Sequence, residues 1–194
     1  MREANIILYI HKLYNNITDM AKGGRIATFA FVDASNIIYG AREEGWFIDQ
    51  EKLFNYLKSK YNITKAFFYY GTDPNDTRKE RFLKKLKSFG FILRVKEIKY
   101  YGLKGKANCD VDLTIDVMLN IDKYHRVVIL SGDGDFLRLL KYLQNIGKEV
   151  IVIASPHRTA REVRKLVKNK FVNFDNLRYF IERGAQKKMG TILN

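Results

Sequence analysis

The chain reads as a three-layer α/β domain built around a mainly parallel sheet of five or six strands. Three observations predict it. From Ala27 onward, short apolar runs alternate with amphipathic stretches of helical period. The strand-helix units recur at roughly thirty residues, the length of a right-handed βαβ crossover. Aspartates gather just past the ends of two apolar runs, where parallel α/β sheets bind their ligands.

The elements follow in order. Apolar runs predict strands at Thr28–Asp33, Ala66–Tyr70, Phe91–Lys96, Arg126–Leu130 and Glu149–Ala154, with a short sixth at Phe171–Phe174 on an edge. Periodicity predicts helices near Asp49–Lys60, Pro74–Phe89, Asp110–Lys123, Asp135–Gln144 and Pro156–Lys168. Asp73-Pro74 and Ser155-Pro156 each put a capping oxygen before a proline at the first helical position. Gly90 and Gly147 stand where helices should end. Before them, Ile6, Ile10, Leu13, Ile17 and Met20 form an amphipathic stripe, so residues 1–24 are expected to be a helix. That stripe packs either on the main domain, 25–183, or against a second subunit as a homodimer; residues 184–194 read as a basic tail.

Composition bounds the function. With 194 residues and 46% hydrophobic content, one sizeable core is expected. A single cysteine, Cys109, excludes an internal disulfide framework and a multi-cysteine zinc site. No apolar run is long enough to span a bilayer and the first ten residues lack a signal-peptide pattern, so a cytoplasmic protein with no membrane partner is expected. The formal charge of +14 leaves two readings open, a surface for polyanions or simple solubility.

The acidic segments decide between them. They are Phe31-Val-Asp33-Ala-Ser-Asn36, Cys109-Asp110-Val-Asp112-Leu-Thr-Ile-Asp116 and Leu130-Ser131-Gly-Asp133-Gly-Asp135-Phe136. Two carboxylates at ~4 Å, in an effective dielectric of about 20, repel by roughly 4 kcal/mol, so a fold that gathers several needs a cation. Hard oxygen ligands suit Mg²⁺ or Mn²⁺. Such an ion lowers the pKa of bound water and stabilises charge on a phosphate, which is phosphodiester hydrolysis. If the Asp33 and Asp133 strands are neighbours at the switch in strand order, the two face each other across one crevice. Asn36 could orient Asp33 or a metal-bound water through its amide, and Ser131 could donate to a phosphate oxygen. Asp112 and Asp116 share a helix face, and Asp110 sits at the helix start, so all three cannot reach one ion. Asp110 is expected in the site, Asp116 beside it and Asp112 as a bystander.

These segments, in this order, resemble the NYN branch of the PIN-like metal-dependent ribonucleases, in particular its LabA-like group. Leu143-Gln-Asn-Ile-Gly147-Lys-Glu-Val-Ile-Val resembles the family's helix-glycine-strand ending, and the likeness runs from about Ala27 to Phe174. It implies a PIN-like Rossmannoid fold, an endoribonuclease activity on single-stranded or structured RNA, and an acidic site for Mg²⁺ or Mn²⁺. By position, Asp33, Asp110, Asp133 and Asp135 would make that site, Asn36 and Ser131 would support it, and Asp116 matches the second helical aspartate. Many relatives have Lys-Gly-Val-Asp where this chain has Lys106-Ala-Asn-Cys-Asp110, which leaves the number of metals open.

Two basic surfaces are candidates for the polyanion. Arg158, Arg161, Lys165 and Lys168 recur at helical spacing opposite Ala160, Val163 and Val167. Lys99-Tyr100-Tyr101-Gly-Leu-Lys104-Gly-Lys106 is a basic, aromatic loop leading to Asp110, whose tyrosines could stack bases. Tyr39 and Trp46 either flank the mouth or pack away. Cys109 reads as a filler. DNA stands beside RNA as a candidate substrate, and two rival functions stay open beside the nuclease: a nucleic-acid-binding regulatory module with little turnover, and a phosphatase on small esters, which would not need the basic surfaces.

Overall fold

The structure, a computed structural model, describes residues 27–73, 77–101 and 104–184. The expected N-terminal helix, nearly all of the basic tail, and the Pro74 cap lie outside the described residues. Among the described residues, eight strands, β1 (Thr28–Asp33), β2 (Ile63–Thr72), β3 (Ile92–Glu97), β4 (Lys99–Tyr101), β5 (Lys104–Lys106), β6 (Arg126–Leu130), β7 (Glu149–Ala154) and β8 (Phe171–Asn173), interleave with seven α-helices. The helices are α1 (Ala34–Glu43), α2 (Gln50–Tyr61), α3 (Thr77–Phe89), α4 (Asp110–Leu119), α5 (Leu137–Asn145), α6 (Arg161–Val167) and α7 (Arg178–Ile181).

Six strands form one parallel sheet in the order β3-β2-β1-β6-β7-β8, so the three-layer α/β class is as expected. Alternate residues of β1 point to opposite faces. Ala30 and Val32 join a core with Ile37 of α1, Leu53 and Leu57 of α2 and Leu86 of α3. Phe29 and Phe31 join the other core with Leu113 and Val117 of α4, Leu140 and Leu143 of α5 and Val163 of α6. Strand order reverses between β1 and β6, where Val32 pairs with Leu130. Asp33 and the loop carrying Asp133 therefore leave adjacent strand ends in the same direction, and the crevice lies there.

Three differences from the sequence reading bear on the site. Helix α1 is one that periodicity did not predict; the Asp33 carboxylate starts it by accepting from Asn36 N at 3.1 Å. Residues 99–106 are not simply a loop: β4 and β5 pair antiparallel, Tyr100 opposite Gly105. The predicted helix over 156–168 is two pieces, a 3₁₀ turn at Pro156–Arg158 and then α6. Ser155 makes no side-chain cap; its hydroxyl pairs with Asp175 Oδ2 at 3.2 Å instead. Gly90 and Gly147 do adopt positive φ, 110° and 79°, at helix ends.

Candidate metal centre

The β1 and β6 ends are tied together before any ligand is considered. Ser131, 2% exposed, donates its hydroxyl to Asp33 Oδ2 at 3.0 Å and accepts from Asp133 N at 3.3 Å. Asn36 lends its backbone N–H to Asp33 Oδ1 and takes the Gly132 N–H on its side-chain oxygen at 3.2 Å. The sequence suggests Ser131 as a donor to phosphate and the Asn36 amide as a partner of Asp33 or of a metal-bound water. Here Ser131 spends its proton on Asp33, and Asn36 orients Asp33 through its backbone.

Gly132 is required by packing. A Cβ there would lie 2.5 Å from Thr159 Oγ1 and 2.9 Å from the Arg158 carbonyl oxygen. The chain after β7 thus sits directly on the β6 loop, and Ala160 N donates to Gly132 O at 3.0 Å. This approach swings Arg158 over the cleft, where its guanidinium pairs with Glu43 of α1. Arg158 is therefore not part of one helical stripe with Arg161, Lys165 and Lys168. Arg161 and Lys165 are exposed on α6, and Lys168 has left the helix with φ 48°.

Asp133 begins a 3₁₀ turn, its Oδ1 accepting from Asp135 N at 2.9 Å. Across the cleft, Asp110 is the first residue of α4, and its N–H is held by Asn108 Oδ1 at 2.7 Å. One carboxylate oxygen from each of Asp110, Asp133 and Asp135 lies within 4.8 Å of the other two. Asp33, buried to 9% exposure, lines the same cleft of about 320 Å³ with Asn36, Tyr39 and Arg158. Burial holds the Asp33 carboxyl above the ordinary range, against the pull of its Asn36 and Ser131 bonds, and the Asp110 charge adds to the rise. Converging hard oxygens fit Mg²⁺ or Mn²⁺ far better than a soft metal, and a bound cation would remove the mutual repulsion. No histidine lines this cleft among the described residues.

The other helical aspartates go elsewhere. Asp116 is not brought to the cluster. Its Oδ2 accepts from Tyr69 OH at 2.9 Å and from Arg94 Nε at 2.6 Å, and Arg94 Nη2 reaches Oδ1 at 3.3 Å. A carboxylate held by a forked guanidinium and a buried phenol ties α4 to β2 and β3. Asp112 pairs with Lys96 at 2.7 Å on the half-exposed flank, and neither residue is among those lining the acidic cleft. Cys109 is buried and its thiol is pushed up to about 11, first by desolvation, which suits a filler. Trp46 is core, stacked on Phe174 at 5.4 Å, whereas Tyr39 stays 56% exposed at the cleft. The backbone of β4–β5 leads to the cleft through Ala107 and Asn108, so Tyr100, Tyr101, Lys104 and Lys106 stand on an element beside it.

Comparison with known proteins gives the family and the fold. The family model described as NYN domain matches residues 27–177. The low amplitude and bright protein LabA of Synechococcus elongatus is 30% identical over 163 residues, covering 79% of this chain and 86% of that protein. The crystal structure of a Vibrio parahaemolyticus protein of unknown function superposes with a TM-score of 0.70 at 26% identity, covering 81% of this chain and 96% of that one.

Proposed function

This chain belongs to the NYN domain family, and from that premise we propose that it is a metal-dependent endoribonuclease that hydrolyses RNA phosphodiesters in the acidic cleft. The observation that carries the reading is the convergence of the Asp110, Asp133 and Asp135 oxygens within 4.8 Å. Those three carboxylates would hold Mg²⁺ or Mn²⁺. The ion would supply a lowered pKa for bound water and charge stabilisation at the scissile phosphate.

The chain's own residues supply the rest. Asp33, which accepts from Asn36 N and from the Ser131 hydroxyl, lines the cleft beside those carboxylates. Ser131 and Asn36 fix the distance between the two strand ends, so they act as positioning residues. Arg158, held beside the carboxylates by Glu43, presents N–H donors whose planar fork suits a phosphate. In this reading Tyr100, Tyr101, Lys104 and Lys106 would meet a strand entering past Asp110, and Arg161 and Lys165 would offer an outer basic surface. Among the described residues no helix is long and apolar enough to cross a membrane.

The test is a panel of labelled RNA and DNA oligomers and a chromogenic phosphate ester, each with Mn²⁺, Mg²⁺ or chelator. Metal-dependent internal cuts in RNA support the proposal. Tight RNA binding with no cutting under any metal would instead identify a binding module, and turnover of the ester alone would identify a phosphatase.

A further inference from the structure

The acidic cleft does not end at its carboxylates. Along the first turns of α1 it shares Ser35 and Tyr39 with a second cleft of about 490 Å³, whose walls include Arg42, Tyr70 of β2 and Lys79 of α3. That cleft in turn shares Arg42 and Tyr70 with a third, of about 230 Å³, which adds Phe47 and Arg183. The three form one continuous groove from the metal centre across α1.

Its charge reverses along its length. Four aspartates line the first cleft, while no Asp or Glu lines the second or third among the described residues. Arg42, Lys79 and Arg183 stand there instead. Aromatic rings are interleaved with these cations. Tyr39 and Phe47 are 56% and 58% exposed, leaving large rings in water beside guanidinium groups. Arg42 lies 6.0 Å from the Tyr39 ring centre, and the Tyr70 ring is fixed against Phe82 at 5.4 Å. A second cleft of that volume is of small-ligand size, within the range of about 300–1,000 Å³.

We propose that this groove is the track for single-stranded RNA leaving the metal centre, with bases stacked on Tyr39 and Phe47 and phosphates met by Arg42, Lys79 and Arg183. It rests on the RNA reading above and deepens it. Stacking on exposed rings requires bases freed from their own partners, so the groove selects single strands and rejects duplex. The cations make the binding salt-dependent but indifferent to sequence. Reversal of charge fixes polarity along the groove: the phosphate to be cut needs a metal to enter the acidic end, and its neighbours need none at the basic end.

The experiment measures equilibrium binding of a fluorescently labelled single-stranded RNA oligomer, and of its duplex, in chelator at low salt. Wild type is compared with Tyr39→Ala, Phe47→Ala, Arg42→Ala and the ring-preserving Tyr39→Phe. Both rings are largely exposed, so truncation should leave the fold intact, which a thermal melt checks. The groove predicts that each ring deletion weakens single-strand binding by on the order of ten-fold and that Tyr39→Phe restores it. Arg42→Ala should reduce the salt slope by about 1. Duplex should bind at least about ten-fold more weakly. Unchanged affinity in both ring deletions, or equal affinity for duplex, overturns the groove. Cleavage is not read here, so loss of the nuclease reading and loss of the groove are separate results.

Discussion

Asp33 holds two positions at once: it caps α1 through Asn36 N and it lines the acidic cleft. Burial raises its pKa, so in the absence of metal the folded protein keeps a proton that the unfolded chain has released. The sign follows. Its stabilising contribution is fully present below the unfolded value, about pH 4, and is lost as pH rises through the raised folded value. In chelator, wild type should therefore gain stability relative to Asp33→Asn as pH falls from about 7 to about 4. Thermal melts across that range check it, and a pH-independent difference would contradict it. Asp116→Asn separates a structural carboxylate from a ligand. It weakens the bonds from Arg94 and Tyr69, so it should cost about 1–3 kcal/mol in a denaturant melt yet leave metal-dependent cleavage within about two-fold.

At the scale of elements, the β6 loop and the chain after β7 must touch for Arg158 to reach the cleft. Gly132→Ala puts a methyl 2.9 Å from the Arg158 carbonyl oxygen, a backbone atom that cannot rotate aside. It should destabilise by about 1–3 kcal/mol and slow cleavage at the same time, as read by melts and single-turnover rates. The central strands were legible because they are continuous buried apolar runs: β1, β6 and β7 begin and end where the runs do. Helix α1 was not, since Ser35, Asn36 and Gly40 are weak helix formers and its start depends on Asp33 reaching Asn36 N. The gathering of Asp110 with Asp133 and Asp135 was legible from strand ends and a helix start. The destination of Asp116 was not, because Arg94 and Tyr69 lie on β3 and β2, far away in sequence. The helical spacing of Arg158 misleads for a related reason: it runs across a break at Thr159 and Ala160, where Thr159 bonds back to Ser155 O and Ala160 N bonds to Gly132 O. The groove over α1 had only one legible member, Tyr39, because its walls come from four separate elements.

For the whole molecule, the central feature is a small acidic cleft in a chain of formal charge +14. Long-range attraction would bring the proposed polyanion to the surface, and the carboxylates would admit its backbone only with a cation between. Mn²⁺ should therefore raise the melting temperature of wild type, by about 2.7 kcal/mol of stability at a hundred times its Kd, and should do so far less for Asp133→Asn. The most direct measurement is single-turnover cleavage of an end-labelled single-stranded RNA by wild type and Asp133→Asn, each with Mn²⁺ and with chelator. A metal-dependent wild-type rate that falls by roughly 100-fold or more in the variant is the predicted result. Equal rates for the two proteins, or cleavage that persists in chelator, would contradict it.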